Sequence, residues 1–175
     1  MPKYNKTYQN FLDHERILRS TPNTEKLKVT LRHDKERGVG LFATKFIKKG
    51  ELIALYKMTV FNVNTYKSPT KNVYAFDVYR KNGRSNDRLI GDIDLESLPD
   101  PLNNVPFWAP FANESSESKS NAEVDNNLAI NYANRRIIKP KDVIIYYLKA
   151  SRNIKKGEEI TWYYGDSYLR NYVLN

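Results

Sequence analysis

Residues 150–165 carry the tightest constraints in the chain: Ala150-Ser-Arg-Asn-Ile154-Lys-Lys-Gly157-Glu-Glu-Ile-Thr161-Trp162-Tyr163-Tyr164-Gly165. The end of one apolar run, a charged glycine turn, a second apolar run and an aromatic group beside a glycine follow one another without a spacer. That order spells strand, turn and strand. The preceding run, Val143-Ile-Ile-Tyr-Tyr-Leu148, is β-branched and aromatic and reads as a strand. Any chemistry the chain performs is expected in this region. Cysteine is absent and both histidines lie far upstream, so Tyr164 beside Gly165 is the most constrained hydroxyl in the sequence.

At 175 residues the chain can bury roughly 70% of its unfolded surface and form one domain with elaborations. Thirteen tyrosines and a 13% aromatic share suit a packed, mainly β fold with short helices rather than a disordered chain. Without cysteine there can be no disulfide, thiolate zinc site or thiol nucleophile, which fits a reducing compartment. The polar start and the lack of a membrane-length apolar run read as a soluble, unsecreted chain with no membrane partner, expected in the nucleus or cytoplasm. A formal charge of +9 favours an anionic neighbour such as nucleic acid or nucleoprotein. The basic residues are nevertheless spread along the chain, and clusters such as Lys155-Lys156 fall at turns where solvated charge is ordinary.

Thr7 to Arg19 has helical spacing, with Thr7 as N-cap and Thr21-Pro22 as the stop, and reads as a docking helix outside the main fold. Leu27 to Arg32 alternates as a half-buried strand. It leads into Gly38-Val39-Gly40, read as a tight turn, and a second strand begins after Lys48-Lys49-Gly50. Gly38-x-Gly40-x-x-Ala43 also fits a dinucleotide fingerprint, but Lys48-Lys49-Gly50 interrupts any helix and no carboxylate occurs between Tyr56 and Phe61. Asn72 to Arg80 and Asp87 to Ile93 read as a hairpin around a turn at residues 81–86. Asp92 and Asp94 are too few for a metal site and read as a strand-end pair facing solvent; no metal is expected. Prolines exclude regular structure from Leu98 to Pro106. Phe107, Trp108 and Phe111 precede Asn113, an amide that needs a definite partner if buried. Glu114 to Ser120 reads as a mobile polar loop, Asn127 to Tyr132 as a strand and Arg135 to Lys141 as a basic turn. No internal repeat is visible.

Together these segments resemble the SET-domain protein lysine methyltransferases, including their PR-domain relatives. Arg37-Gly-Val-Gly-Leu-Phe-Ala43 resembles the family's glycine segment, and Ile47-Lys-Lys-Gly-Glu51 with Tyr56 resembles the strand that follows. Asp92-Ile-Asp94 falls where the family has an isoleucine-aspartate strand. Phe111-Ala-Asn113-Glu-Ser115 with Asn121 is similar to the family's Asn-His-Ser segment and its later asparagine, a place that Asn126 or Asn127 could also hold. Glu114 stands where the family has histidine, and Pro110 where it has arginine. Trp162-Tyr-Tyr-Gly-Asp166-x-Tyr168 is close to the closing run of PR domains.

The resemblance implies a β-clip, SET-type fold of small sheets with a C-terminal pseudoknot. It implies an N-terminal extension over 1–26, a catalytic domain over 27–168 and a tail over 169–175. It further implies S-adenosylmethionine as cofactor and methyl transfer to a protein lysine of a histone or other basic protein, with possible nucleosome or DNA contact. Arg37, Gly38, Val39, Gly40, Asn113 and Glu114 would surround the cofactor. Tyr164 would be the catalytic hydroxyl, Tyr56 and Trp162 would wall the lysine channel, and Trp162 would influence how many methyl groups are added. Two other readings compete: a PR-like protein-interaction module with weak catalysis, and a basic nucleic-acid-binding β domain that stacks bases on tyrosines.

Overall fold

The computed structural model describes residues 8–34, 37–67, 75–78, 88–131, 138–166, 168 and 173–174. Among them the elements run α1 (Tyr8–Ser20), β1 (Val29–Asp34), β2 (Gly38–Ala43), β3 (Leu52–Asn62), β4 (Ala75–Val78), β5 (Leu89–Asp92), β6 (Asn113–Glu114), β7 (Ala122–Asn131), β8 (Val143–Ala150) and β9 (Glu159–Trp162). Short 3-10 turns occupy Thr24–Lys26, Leu95–Ser97 and Ala109–Phe111. The fold is mainly β with short helices. Its strands lie in the order β1-β2-β9-β7-β8-β3-β5-β4, with β6 beside β9.

This order follows from a repeat, contrary to the expectation that there is none. Ala43-Thr-Lys-Phe-Ile47-Lys-Lys-Gly50-Glu51 joins β2 to β3, and Ala150-Ser-Arg-Asn-Ile154-Lys-Lys-Gly157-Glu158 joins β8 to β9. The two corners bond to each other in equivalent pairs. Ile47 N–H donates to Ile154 O (3.0 Å) and Ile154 N–H to Ile47 O (2.8 Å). Gly50 N–H donates to Ala150 O (2.7 Å) as Gly157 N–H does to Ala43 O (2.8 Å), and Ala43 N–H donates to Glu158 O as Ala150 N–H does to Glu51 O, both at 2.9 Å. The corners are therefore related by a local two-fold. Neither is a hairpin, because each sends its outgoing strand to the other's incoming one: β2 pairs with β9 (Leu41↔Ile160, Phe42↔Glu159) and β3 with β8 (Leu52↔Lys149).

Burial explains why this exchange is stable. Ile47 and Ile154 are both fully buried at the crossing point, each contributing about 1.5–3 kcal/mol. The lysines and glycines that follow turn outward to solvent. Gly50 and Gly157 adopt φ of +85° and +90°, which L side chains resist. Lys28 Nζ (3.0 Å) and the Lys48 backbone N–H (3.0 Å) both donate to Glu51 and hold its carboxyl below the usual range.

On β3 the period-two pattern places Ala54, Tyr56, Met58 and Val60 in the main core, while Leu55 joins Phe107 and Ile145 on the other face. Helix α1 docks against β1 and β2, and its Ile17 enters the main core. Thr7, the expected N-cap, lies outside the described residues. So do residues 72–74 and 79–87 of the expected hairpin, whose described strands β4 and β5 pair antiparallel. In the basic turn, residues 135–137 are likewise outside them. Asp92 corrects the expectation of a solvent-facing pair: it is 3% exposed between β3 and β4, whereas Asp94 is exposed and caps the Leu95–Ser97 turn by accepting from Glu96 N–H at 2.9 Å. Gly38 and Gly40 belong to β2 rather than to a turn. No described helix is long and apolar enough to cross a membrane.

The two-fold predicts matched responses. No atom lies within 4 Å of a Cβ added at Gly50 or Gly157, so Gly50→Ala and Gly157→Ala differ from the parent only in backbone strain. Each is expected to lower unfolding free energy by about 1–2 kcal/mol, and by equal amounts. Urea unfolding of the two variants checks this.

Candidate functional site

The exchange of strands sets β9 between β2 on one side and β6 and β7 on the other, with β6 and β7 running parallel to it (Asn113↔Thr161, Ala122↔Trp162). Three expected site residues meet on one carboxylate here. Asn113 Nδ2 donates to Glu159 Oε1 at 2.8 Å, and the Arg37 guanidinium pairs with the other oxygen of Glu159. Gly40 faces the same point: an added Cβ would lie 3.0 Å from Glu159 Oε1 and 3.1 Å from Asn113 Nδ2. Only glycine leaves this junction undisturbed. Gly38 and Val39 open β2 opposite Asp34 and His33. Glu159 was legible only as part of the Gly157-Glu-Glu motif; the strand exchange that carries it to Asn113 has no local signature.

Asn121 secures β9 from behind. It is 2% exposed, its Nδ2 donates to Glu159 O (2.8 Å), its Oδ1 accepts from Thr161 N–H (2.9 Å) and its own N–H donates to Thr161 O (3.1 Å). A side chain that replaces a strand partner in this way satisfies buried backbone groups that would otherwise go unpaired. The side chains of Asn126 and Asn127 lie outside the described residues.

The second half of the site is a run of rings. Tyr56 on β3, 1% exposed, meets Trp162 edge-on at 6.3 Å between centroids. Trp162 lies 4.7 Å from Tyr164, and Tyr164 packs edge-on against Tyr168 at 5.0 Å. Sequence reasoning named the first three as site residues and Tyr168 only as part of the closing run, because it sits beyond a glycine where no periodicity points inward. Tyr164 joins the two halves, its Oη donating to Ala112 O at 2.9 Å, one residue from Asn113. Gly165, at φ +93°, turns the chain away immediately afterwards.

Glu114 reaches Tyr164 through its side chain, Oε1 accepting from the Tyr164 backbone N–H at 3.2 Å. The segment expected to be a mobile loop is instead a bonded turn: Ser115 Oγ meets Thr161 Oγ1 (2.9 Å) and Ser120 Oγ (3.0 Å), and Ser120 N–H donates to Ser116 O (2.9 Å). Pro110 is buried in the Ala109–Phe111 turn, near its start, where a missing N–H costs little. Among the described residues, no three acidic, histidine or cysteine side chains group as a metal site.

The sequence profile of the SET domain matches residues 38–165, which span both corners, Asn113 and Tyr164. The chain belongs to the SET domain family. Solved structures share its fold. ATXR5, in complex with histone H3.1 mono-methylated on R26, superposes with a TM-score of 0.51 at 16% identity over 95% of this chain and 69% of that one. CpSET8 from Cryptosporidium gives 0.51 at 17% identity over 96% and 70%. KRYPTONITE, in complex with DNA, a histone H3 peptide and SAH, gives 0.50 at 18% identity over 79% of this chain, which spans only 23% of KRYPTONITE's length. Comparison with curated protein sequences gives no match. In this SET domain the polar junction at Glu159 and the ring cluster at Tyr164 are linked through Ala112 and Asn113.

The bond from Glu114 to the Tyr164 amide is testable. Glu114→Ala is expected to accelerate hydrogen exchange of the Tyr164 amide at least about tenfold, the equivalent of losing one hydrogen bond to a charged group. Glu114→Gln retains an acceptor oxygen and should stay within about threefold of the parent. Residue-resolved exchange measured by NMR reads both.

Proposed function

We propose that this SET domain transfers a methyl group from S-adenosylmethionine to the side-chain amine of a protein lysine, on a histone or another basic protein. The bond from Tyr164 Oη to Ala112 O carries the proposal, because it ties the ring cluster to the polar junction. The junction suits the amino-acid end of the cofactor. A zwitterion needs a cation for its carboxylate and acceptor oxygens for its ammonium, and Arg37, Asn113 and Glu159 supply both beside the bare backbone of Gly40. When bound, S-adenosylmethionine supplies an electrophilic methyl group on a sulfonium.

The chain's own residues prepare the nucleophile. A lysine of pKa about 10.4 costs roughly 4–5 kcal/mol to hold neutral at pH 7. Walls made by Tyr56, Trp162 and Tyr164 strip water from the amine and shift it toward the neutral form. The single proton of Tyr164 Oη is committed to Ala112 O, so the hydroxyl offers lone pairs to an incoming amine. An amine that donates N–H to Tyr164 has its own lone pair directed away from that bond. Orientation is the main contribution such a site can make to an in-line displacement. The histone complexes of ATXR5 and KRYPTONITE support a histone as the first substrate to try.

Labelled methyl transfer to histones, nucleosomes and cell lysate tests the reading. Tyr164→Phe is expected to reduce kcat at least about 100-fold while calorimetry shows S-adenosylmethionine binding nearly unchanged. Retained turnover in that variant would remove Tyr164 from the mechanism. Absence of any binding heat in the parent would favour a protein-interaction module instead.

A further inference from the structure

One face of the β1–β2 pair carries the polar junction beyond Arg37, Asn113 and Glu159. Side chains alternate along a strand, and directly opposed residues share a face. Gly40, Phe42 and Arg32, the residue paired with Gly40, therefore belong to one face. The Phe42 ring leans back over the glycine. Its Cε2 would lie 2.9 Å from a Cβ at Gly40, the same point that Glu159 Oε1 and Asn113 Nδ2 approach to 3.0 and 3.1 Å. The Arg32 guanidinium stands over that ring, its Cζ 5.0 Å from the centroid. Arg32 is exposed, and among the described residues it forms no ion pair. Arg37, by contrast, is paired with Glu159, so those two charges cancel. Arg32 thus brings the junction a positive charge that no described carboxylate neutralises.

We propose that Arg32 binds the carboxylate at the amino-acid end of the cofactor, with Phe42 as a positioning residue that holds the guanidinium at the junction. The assignment rests on the catalytic reading above and deepens it. A planar fork of N–H donors matches a carboxylate, which can accept from it through both oxygens. Stacking on Phe42 restrains a side chain that would otherwise swing in solvent, so less freedom is lost when the ligand arrives. The ammonium of the same zwitterion is repelled by Arg32 and attracted to Glu159. That carboxylate keeps lone pairs beyond those used by Asn113 and Arg37. The two charged ends of the ligand therefore have separate partners on either side of Gly40. A purine stacked on Phe42 is a poorer match, because Arg32 already covers one face of the ring.

Calorimetry of the full chain with S-adenosylmethionine and with its decarboxylated analogue tests the assignment. Arg32→Ala is expected to weaken S-adenosylmethionine about tenfold, the lower end for a hydrogen bond to a charged group at an exposed site. The analogue has no carboxylate to lose and should bind the variant no more weakly than the parent. Phe42→Leu should weaken S-adenosylmethionine about threefold, and should add nothing further in the Arg32→Ala background. Circular dichroism verifies that the variants are folded. Unchanged S-adenosylmethionine binding in Arg32→Ala overturns the proposal, as does equal weakening of both ligands. Additive losses in the double variant overturn the positioning role of Phe42. A parent that binds no S-adenosylmethionine fails the catalytic reading and this assignment together, whereas a parent that binds it with an affinity indifferent to Arg32 fails this assignment alone.

Discussion

The reciprocal pairing of Ile47 with Ile154 is the contact on which the rest of the structure depends. A strand, glycine turn and strand would ordinarily close on itself as a hairpin, each strand satisfying the other's backbone. Here each corner spends its inward-facing N–H and C=O groups on the other corner, so the outgoing strand must find its ladder elsewhere. With two equivalent corners, the available ladder is the other copy's incoming strand. The exchange satisfies both sets of backbone groups and seals the two isoleucines between them.

The site follows from that exchange. Because β9 leaves its own incoming strand β8, it lies between β2 and the β6 and β7 segments, and a single carboxylate, Glu159, comes within reach of Arg37 and Asn113. The same displacement leaves β9 short of regular partners, which is why Asn121 substitutes for a strand through both its backbone and its side chain. Three residues beyond Thr161, Tyr164 emerges where Ala112 presents a carbonyl. Site geometry and fold topology are therefore one problem: loosening the corners would move Glu159 and Tyr164 together. Coupled placement of this kind supplies the rigid support a positioned hydroxyl requires.

Much of this was legible in the residues. Alternation located β1, β-branched and aromatic residues located β8, glycine and proline punctuation located the corners and the irregular segment before Phe107, and the order of Gly40, Asn113 and Tyr164 led to the family. What stayed hidden is non-local. The repeat consists of two short corners separated by most of the chain, so a search for tandem periodicity passes over it, although Ile-Lys-Lys-Gly-Glu occurs twice letter for letter. Gly38 and Gly40 read as a turn because glycine usually marks one; in β2 the absence of a Cβ at Gly40 instead makes room for Glu159 and Asn113. Asp92 read as solvent-facing because a carboxylate at a strand end usually is, and only the flanking of β5 by β3 and β4 buries it.

Glu114 ties β6 to the end of β9 through both its backbone and its side chain. Its backbone lies in β6, in parallel register with Trp162, an arrangement that any residue can enter because the ladder uses only main-chain groups. Its side chain adds an acceptor for the N–H of Tyr164, a group past the end of β9 and therefore beyond the reach of that ladder. Glutamate offers a carboxylate on an adaptable stem, with two oxygens able to accept. Tyr164 is thus held from its main chain by Glu114 and through its hydroxyl by Ala112.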